Sequence, residues 1–334
     1  MRFVISYPQT NWDYAKFRLE RIIKGKDRSN EVFHGEPGGK LQLLEHSGVS
    51  LGDIRLLEEI YPTKPFGLAY VVGEGLYFIR GLPCAENGVA GDEHIARLND
   101  RGEIDLEIRH PWFSQLRSLR RTDKGLLVAS SGVDAILEVN LQGEVIWDWW
   151  ATENGYPKAY GGSIRSIDKT LDHRQFCYSG KLQSTHLNSA IVDPYDQNKI
   201  LTILFYQGCV ARIDRKNLAL DIVISDLNGA HHIRPHSKGY MLSNSRKGEV
   251  LIFNPQFELI ERVKGTADYF PVKWVQDAIE MPGGHSHLIA DCNTFNLRER
   301  DRQGHEKKIN TQMPNRIFQI EPVADDFTLT GLKL

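Results

Sequence analysis

The chain has 334 residues, of which 41% are hydrophobic, and its 41 Lys and Arg residues nearly balance 43 Asp and Glu residues. A formal net charge of -2 gives no reason to expect nucleic acid or an anionic membrane surface as a partner. No stretch reaches the ~18 uninterrupted apolar residues that a membrane-spanning helix requires. The four cysteines lack a CxxC pair, which is typical of reduced thiols. These features predict a cytoplasmic protein.

A sequence phrase recurs about once every 40 residues, the spacing of a β-propeller blade. The typical copy contains three apolar runs, with a turn glycine after the first, which the third copy lacks, and an Asn or Asp turn after the third. Short apolar runs that end at such turns are typical of strands. The five copies begin at Pro65–Tyr70, Leu116–Leu119, Thr185–Asn188, Ala230–Ile233 and Val275–Ala278. The fifth copy is expected to end at Arg316–Ile320, after a long excursion.

The residues before the first copy predict a further blade. Leu41–Gly48 and Ile54–Ile60 have the pattern of two outer strands, which favours six blades over five. Closure of the ring then requires both termini to share one sheet, because closure removes open strand edges. We therefore predict an all-β fold, a six-bladed β-propeller that spans residues 1–334 as a single domain.

Three segments interrupt the repeat, and loops on a rigid scaffold are where function is expected. Residues 1–40 form an N-terminal extension, in which Trp12–Ile23 predicts a short amphipathic helix. Residues 151–183 and 293–315 are predicted to be inserted loops over the mouth of the channel. The many charges of the later loop fit either a solvated surface or a lid.

The first strand of every blade lines the central channel of a propeller, so polar residues at the start of successive copies converge in space. Side chains alternate along a strand, so only one of two adjacent residues faces the channel. The third copy lacks the turn glycine and contributes His186 and Asn188 on one face. Alignment of the other copies on their turn glycines places four residues at one level: Gly67, Arg117, His231 and Gln276. The residues one position later are Leu68, Ser118, His232 and Asp277.

Acid/base or nucleophilic chemistry is the function that these side chains favour. An imidazole titrates near neutrality, and Arg and Asn side chains can hold an anionic group or an oxyanion. Two alternatives remain open: a wet channel in which the groups satisfy one another, and a divalent metal on His186, on His231 or His232, and on Asp277. No close pair of ligands recurs among the copies, so the expectation is no cofactor and no metal. The predicted catalytic residues are His186, His231, His232, Arg117 and Asn188.

Two phrases resemble the arylsulfotransferase family, in Ala135–Trp149 followed by Thr185–Ala190, and a third, Ala230–Gly239, resembles its later histidine repeat. The resemblance covers roughly residues 113–255. It implies a six-bladed propeller that passes a sulfuryl group through a covalent histidine without a nucleotide donor. By this resemblance, His186 and Asn188 match the family's His-x-Asn pair, and His231 or His232 matches its nucleophile.

The chain departs from the family's pattern at two places. Arg117 stands where the family has a further histidine, and Phe205-Tyr206-Gln207 stands where it has an arginine. Loss of that arginine removes a clamp on the sulfuryl oxygens, and the aromatic replacements predict a larger, partly apolar substrate. The predicted substrate-binding residues are Phe205, Tyr206, Gln207, Gln276 and Asp277.

The sequence thus predicts an enzyme whose substrate is a small aromatic or anionic molecule, bound in the axial channel. The reaction expected is group transfer, or one of the lyase, cyclase or isomerase type, because these reactions use the same acid/base groups and anion clamp. The alternative is a noncatalytic propeller that binds a protein or a glycan on its top face. Apolar side chains that plug the channel would indicate that alternative.

Overall fold

A computed structural model of the chain describes residues 1–23, 38–82, 91–266, 272–311 and 314–331. Six four-stranded antiparallel sheets form a ring, in which the innermost strands of neighbouring sheets contact one another. This arrangement confirms the prediction of a six-bladed β-propeller.

The strands are numbered in chain order. Blade 1 contains β1 (Arg2–Tyr7), β2 (Lys40–His46), β3 (Ile54–Ile60) and β24 (Gln319–Val323), and blade 2 contains β4 (Leu68–Val71), β5 (Gly75–Arg80), β6 (His94–Leu98) and β7 (Ile104–Ile108). Blade 3 contains β8 (Leu116–Arg121), β9 (Leu126–Ser130), β10 (Ala135–Val139) and β11 (Val145–Trp150), and blade 4 contains β12 (Leu187–Asp193), β13 (Asp196–Leu204), β14 (Cys209–Asp214) and β15 (Leu220–Ile224). Blade 5 contains β16 (Ala230–His236), β17 (Gly239–Asn244), β18 (Glu249–Phe253) and β19 (Leu259–Lys264), and blade 6 contains β20 (Val275–Glu280), β21 (Ser286–Asp291), β22 (Asn296–Asp301) and β23 (Glu306–Asn310).

The repeated turn residues have clear physical roles. A Cβ atom on Gly125 would lie 2.0 Å from the carbonyl oxygen of Val139, where the second strand of the blade starts beside the end of the third. A Cβ atom on Gly75 would lie 2.2 Å from the carbonyl oxygen of Leu98, and one on Gly239 would lie 2.3 Å from that of Phe253. The Asn that closes the third strand accepts nearby backbone N–H groups through its side-chain oxygen, as Asn140 does from Gln142 (3.0 Å) and Glu144 (2.9 Å). Such local hydrogen bonds favour a turn.

The termini share blade 1, as closure of the ring requires. Strand β24 pairs antiparallel with β1, and β2 and β3 complete the sheet. Residues 319 and 320 therefore belong to the innermost strand of blade 1, and the expectation that they end the fifth copy is wrong. The sequence places this run after the last copy, and only the pairing with β1 assigns it to the first sheet.

The segments that interrupt the repeat differ in structure. The helix α1 (Trp12–Ile23) is present, but the extension predicted over residues 1–40 begins within the propeller as β1, and residues 24–37 lie outside the described part. The interpretation of residues 293–315 as an inserted loop is wrong, because the segment contains β22 and β23, the third and fourth strands of blade 6. Arg298 and Glu299 on β22 are buried, whereas Lys307 and Lys308 on β23 face solvent at the outer edge of blade 6. Residues 151–183 contain only short 3₁₀ turns and contribute to the mouth of the channel.

The cysteines do not all have the reduced state that their dispersal suggested. Cys177 is disulfide-bonded, whereas Cys209 and Cys292 are free and buried; Cys84 lies outside the described residues. Disulfides persist mainly in oxidising compartments, so cysteine usage no longer favours the cytoplasm. In the described ranges, no helix combines the length and apolar character needed to cross a membrane.

A network of buried charges closes the middle of the channel. Arg234 on β16 donates to both carboxylate oxygens of Asp277 on β20, at 2.9 and 2.6 Å. Its remaining nitrogen lies 3.2 Å from Glu321 on β24, which also accepts from Arg120 on β8 at 3.0 Å. These contacts tie four of the six innermost strands together. The open space that remains lies at the end of the channel where the innermost strands begin.

Candidate active site

A cavity of about 560 Å³ occupies this end of the channel. Residues from all six blades, from α1 and from the 151–183 segment line it. The lining residues include Tyr14, Lys64, Phe66, Gln115, Arg117, His186, Asn188, His231, Trp274, Gln276, Arg316 and Phe318. The structure therefore brings Arg117, His186, Asn188, His231 and Gln276, all chosen from sequence, to one site.

Irregular strand pairing directs these side chains toward the axis. In β8 the pairing skips Arg117, in β12 it skips Asn188, and in β20 it skips Gln276. A β-bulge inserts one extra residue and turns a side chain away from the regular alternation. In β16 the same shift falls between His231 and Arg234. The innermost strands of four successive blades thus share this kind of irregularity, which in β16 falls just after the cavity residue His231 and not on it.

His186 is held in a single tautomer. Gln183 donates through its side-chain nitrogen to the Tyr178 carbonyl at 3.0 Å, so its side-chain oxygen faces Nδ1 of His186, with which it forms a short hydrogen bond. Because that oxygen can only accept, the imidazole carries its hydrogen on Nδ1 and leaves a lone pair on Nε2. Burial, together with the Arg117 cation, lowers the pKa of His186 to about 3. The ring is therefore neutral near pH 7.

His231 has the same protonation pattern. Its Nδ1 lies 3.0 Å from the Gly229 carbonyl oxygen and 2.7 Å from the Ser245 hydroxyl. The carbonyl can only accept, so Nδ1 carries the hydrogen and Nε2 keeps its lone pair. Burial and then the neighbouring His232 and His186 lower the pKa of His231 well below its usual value. Two neutral imidazoles with unprotonated Nε2 atoms thus line one cavity.

The charged side chains of the cavity wall are cationic. Lys64, Arg117 and Arg316 line the cavity, and none of the described residues that line it is Asp or Glu. The guanidinium of Arg117 lies over the ring of Phe66 at 5.1 Å and donates no hydrogen bond to a described residue. Burial lowers its pKa, but an arginine keeps its charge in proteins. Such a wall favours an anion.

Amide and aromatic side chains complete the wall. Asn188 donates to the Ala230 carbonyl at 3.3 Å, and Gln276 accepts from the indole nitrogen of Trp274 at 2.7 Å. The amide nitrogen of Gln276 can therefore donate into the cavity. Phe66 and Phe318 meet edge to face, with ring centroids 4.8 Å apart. These rings give the site an apolar side.

Of the predicted substrate-binding residues, only Gln276 lines the cavity, and Phe205, Tyr206 and Gln207 lie outside its wall. Phe205 packs edge-on against both His186 and His231, with ring centroids 5.2 and 5.4 Å apart. Tyr206 stacks on His186 and donates to the Gly180 carbonyl at 2.8 Å. Both aromatic rings support the histidines from outside the cavity wall. Gln207 is exposed and donates to the Ser184 carbonyl at 3.0 Å.

His232 and Asp277 lie below the cavity. His232 is buried beside Phe318, and neither ring nitrogen has a hydrogen-bond partner among the described residues. Asp277 is committed to Arg234. In the described part of the chain, no group of three or more His, Cys, Asp or Glu side chains has a metal-binding arrangement. The bulge in β16 decides that His231, rather than His232, lines the cavity.

Glu93 is an ionisable residue of this region that the repeat did not identify. It is 1% exposed, and one carboxylate oxygen accepts the backbone N–H of Leu116 at 2.8 Å. The other oxygen has no partner among the described residues. Burial raises the pKa of Glu93 to about 7, although Arg117 and Lys64 act in the opposite direction. Glu93 precedes β6, where the repeat gives no reason to expect a polar residue near the axis.

Other residues of the wall could have been found by extending the alignment. Gln115 and Trp274 each lie two residues before an aligned polar residue, and side chains two apart share a face of a strand. The sequence did not identify Arg316 as a residue of the site, because residues 316–320 were expected to end the fifth copy. Lys64 precedes the first copy, which offers only Gly67 at the aligned level.

Comparison with known proteins shows the fold. No protein-family model and no curated protein sequence matches this chain. One similar solved structure is a nidogen/laminin complex, with a TM-score of 0.61 and 11% identity over 96% of this chain and 97% of that chain. A protein of unknown function from Bacteroides caccae has a TM-score of 0.55 and 14% identity over 84% and 93%. A putative 6-phosphogluconolactonase from Bacteroides uniformis has a TM-score of 0.51 and 13% identity over 96% and 83%.

This chain has the fold of the β-propellers. At these identities the likeness shows nothing further, since one fold hosts many functions. The resemblance to the arylsulfotransferases is supported as far as that fold, and sulfuryl transfer remains a hypothesis.

Proposed function

We propose that this propeller is an enzyme that performs acid/base chemistry on a small anionic molecule in the axial cavity. One observation carries the proposal: His186 and His231 both present an unprotonated Nε2 in a cavity whose charged wall is cationic. The Nε2 lone pair of a neutral imidazole can accept a proton, and a bound anion beside the two rings raises their low pKa toward the range that suits a general base, because it favours the imidazolium form. The fold is compatible with catalysis, because a putative 6-phosphogluconolactonase shares it.

The reaction that the side chains support best is removal of a proton from carbon, as in an elimination, cyclisation or isomerisation. Nε2 of one histidine takes the proton, and the electron pair of the broken C–H bond moves toward the substrate's carbonyl or carboxyl group. The negative charge that develops on oxygen is stabilised by the guanidinium of Arg117. The imidazolium formed in this step then gives that proton back, directly or by way of the second histidine, to the product or to the leaving group.

An aromatic carboxylate fits the cavity better than a sulfate ester. Phe66, Phe318 and Trp274 offer apolar area, while Arg117 provides the planar donor pair that matches a carboxylate. The arginine that clamps the sulfuryl group in the arylsulfotransferase family is replaced here by Phe205 and Tyr206, which pack behind the histidines, so that Arg117 could replace it only in part. Proton transfer requires no such clamp.

Binding tests the anionic part of the proposal. Benzoate is expected to raise the melting temperature of the protein and to bind in calorimetry, whereas neutral benzyl alcohol is not. Arg117→Met should abolish benzoate binding, since it removes the guanidinium from the wall. Arg262→Met is the matched control, because Arg262 is exposed on the outer strand of blade 5 and loses the same charge. Equal binding of benzoate and benzyl alcohol would refute an anion site.

Catalysis can be tested by deuterium exchange. Aryl-substituted carboxylates with an α-hydrogen, beginning with mandelate and 3-phenyllactate, are incubated in D₂O and followed by ¹H NMR. His231→Ala should slow exchange by about 10²- to 10⁴-fold with little loss of thermal stability, because the side chain lines a cavity. The exposed His305→Ala is the control. A covalent histidine adduct from phenyl sulfate would instead indicate group transfer, and binding without turnover would indicate a noncatalytic propeller.

A further inference from the structure

Asp134 is a buried carboxylate that the proposed chemistry does not use. It ends the 3₁₀ turn Ser131–Val133 between β9 and β10 and is fully buried. Burial of an isolated carboxylate is very unfavourable, so such a group must be paired and hydrogen-bonded. Asp134 meets this requirement entirely through residues outside its own blade.

All five donors to its carboxylate come from the 151–183 segment or from the approach to β12. The backbone N–H groups of Ser184, Thr185 and His186 donate at 2.7, 2.9 and 2.9 Å, and the Thr185 hydroxyl donates at 2.8 Å. Arg165 forms a short ion pair with the same carboxylate. Three consecutive backbone amides therefore converge on one side chain.

The turn itself does not require an aspartate. Blades 5 and 6 have the same type of 3₁₀ turn between their second and third strands, and Gly248 and Phe295 occupy the left-handed position. Asp134 has φ of 52°, a conformation that glycine adopts without steric cost. The carboxylate at this position is therefore explained by its contacts with residues 184–186, and not by the turn.

His186 is the residue that these contacts constrain. Its φ is 51°, in a region that is rare for residues other than glycine and that persists only where surrounding structure enforces it. The hydrogen bond from the backbone N–H of His186 to Asp134 fixes the backbone at this position. Gln183, three residues earlier in the chain, fixes the ring of His186 through Nδ1.

We propose that Asp134 is a positioning residue of the axial site, which holds residues 184–186 so that Nε2 of His186 faces the cavity. This inference rests on the proposed function for its catalytic meaning. The position and protonation of the His186 ring can be measured without a substrate. A failure of the proposed function and a failure of this inference are therefore distinguishable.

The test compares Asp134→Asn with the full-length protein by ¹H–¹⁵N NMR of ¹⁵N-histidine-labelled samples, with His186→Ala used for assignment. In the parent protein, His186 should give only the Nδ1–H tautomer. In Asp134→Asn, an amide NH₂ replaces one acceptor oxygen and opposes the backbone donors. We expect a mixture of tautomers, and a pKa of His186 that moves up toward its ordinary value near 6.5. Asp134→Gly should show the same change, although it suits the turn.

Asp193→Asn is the matched control. Asp193 is also fully buried, accepts the Tyr240 hydroxyl at 2.8 Å and pairs with Arg212 at 3.0 Å. It lies at the far end of β12, so its loss should reduce stability and leave the His186 signal unchanged. An unchanged His186 signal in folded Asp134→Asn would overturn the proposal. An equal change in Asp193→Asn would also overturn it, because the effect would then be general loosening.

Thr185→Val decides the question if both Asp134 variants fail to fold. It removes one of the five donors and keeps the shape of the side chain. The His186 signal should change in the same direction and by less, and no change would refute positioning. Where turnover can be measured, Asp134→Asn should lower kcat by up to about 10²-fold, the cost of a displaced reacting group. Benzoate binding through Arg117 should change little.

Discussion

At the scale of single residues, burial and hydrogen bonding set the protonation states of the site. His186 and His231 are neutral because both are desolvated beside a cation, and each donates its one ring hydrogen to an oxygen that can only accept. The same desolvation acts on Glu93 in the opposite sense, since it favours the uncharged acid. Near pH 7 the histidines therefore hold constant protonation states while Glu93 titrates.

Glu93→Gln should change the pH dependence of stability. The pKa of Glu93 is about 7 in the folded protein against an ordinary value of 4.5. Between these values the folded state binds more protons than the unfolded state, so this residue makes stability fall as pH rises. The variant should lose this contribution. Its free energy of unfolding, measured with urea, should therefore fall less than that of the parent protein between about pH 5 and about pH 8.

The same variant should alter anion binding. Below about pH 7, protonated Glu93 no longer offsets the charges of Arg117 and Lys64, so benzoate should bind more tightly as pH falls. In Glu93→Gln this dependence should largely disappear. Glu103→Gln, an exposed carboxylate outside the site, should keep the parent profile. An unchanged pH dependence in Glu93→Gln would show that Glu93 does not titrate in this range.

At the scale of elements, blades 2, 3 and 5 depend on close approach between the start of their second strand and the end of their third. Any side chain at Gly125 would place its Cβ atom 2.0 Å from the carbonyl oxygen of Val139, which is too close. The close contact, and not the backbone conformation, requires glycine here, because Gly125 lacks a positive φ. The repeat that is visible in the sequence is therefore a packing requirement repeated around the ring.

Gly125→Ala should be clearly destabilising. The added methyl group forces apart two strands of one sheet, and overpacking of this kind costs about 3 kcal/mol at the upper end of its usual range. Gly155→Ala provides the comparison: its φ is +93° but nothing lies within 4 Å of the added atom, so about 1 kcal/mol is expected from backbone strain. Urea unfolding measures both. A smaller loss for Gly125→Ala than for Gly155→Ala would contradict the steric explanation.

At the scale of the whole molecule, the central ion pairs both close the ring and limit the cavity. Arg234, Asp277 and Glu321 come from three different blades, and their network fills the middle of the channel. Burial by itself would raise the pKa of Asp277, but the Arg234 cation holds it below its usual value. The channel is therefore blocked by charges rather than by apolar side chains.

Arg234→Met should destabilise the protein by about 3–5 kcal/mol, because it leaves Asp277 buried without its partner. The double variant Arg234→Met/Asp277→Leu should recover much of this loss, since no isolated charge remains. Chemical unfolding of the parent, the single variant and the double variant measures the difference. A double variant no more stable than the single one would show that the ion pair is itself required for closure.

Local sequence patterns were enough to predict the fold and the level of the site along the channel. Turn glycines such as Gly125 and turn residues such as Asn140 act on neighbours a few positions away, so their spacing revealed the strands, and the number of copies predicted the ring. Because every blade presents its first strand to the axis in the same way, the repeat register also placed Arg117, His231 and Gln276 together.

Features that depend on partners distant in the chain became visible only in the folded structure. The bulge in β16 selected His231 over His232, and antiparallel pairing with β1 moved β24 into the first blade. The hydrogen bonds of Asp134 to residues 184–186 and the burial of Glu93 beneath Arg117 cross from one blade to the next. The local pattern contains no signal for them, since burial and charge pairing are properties of the folded surroundings and not of a residue's neighbours in sequence.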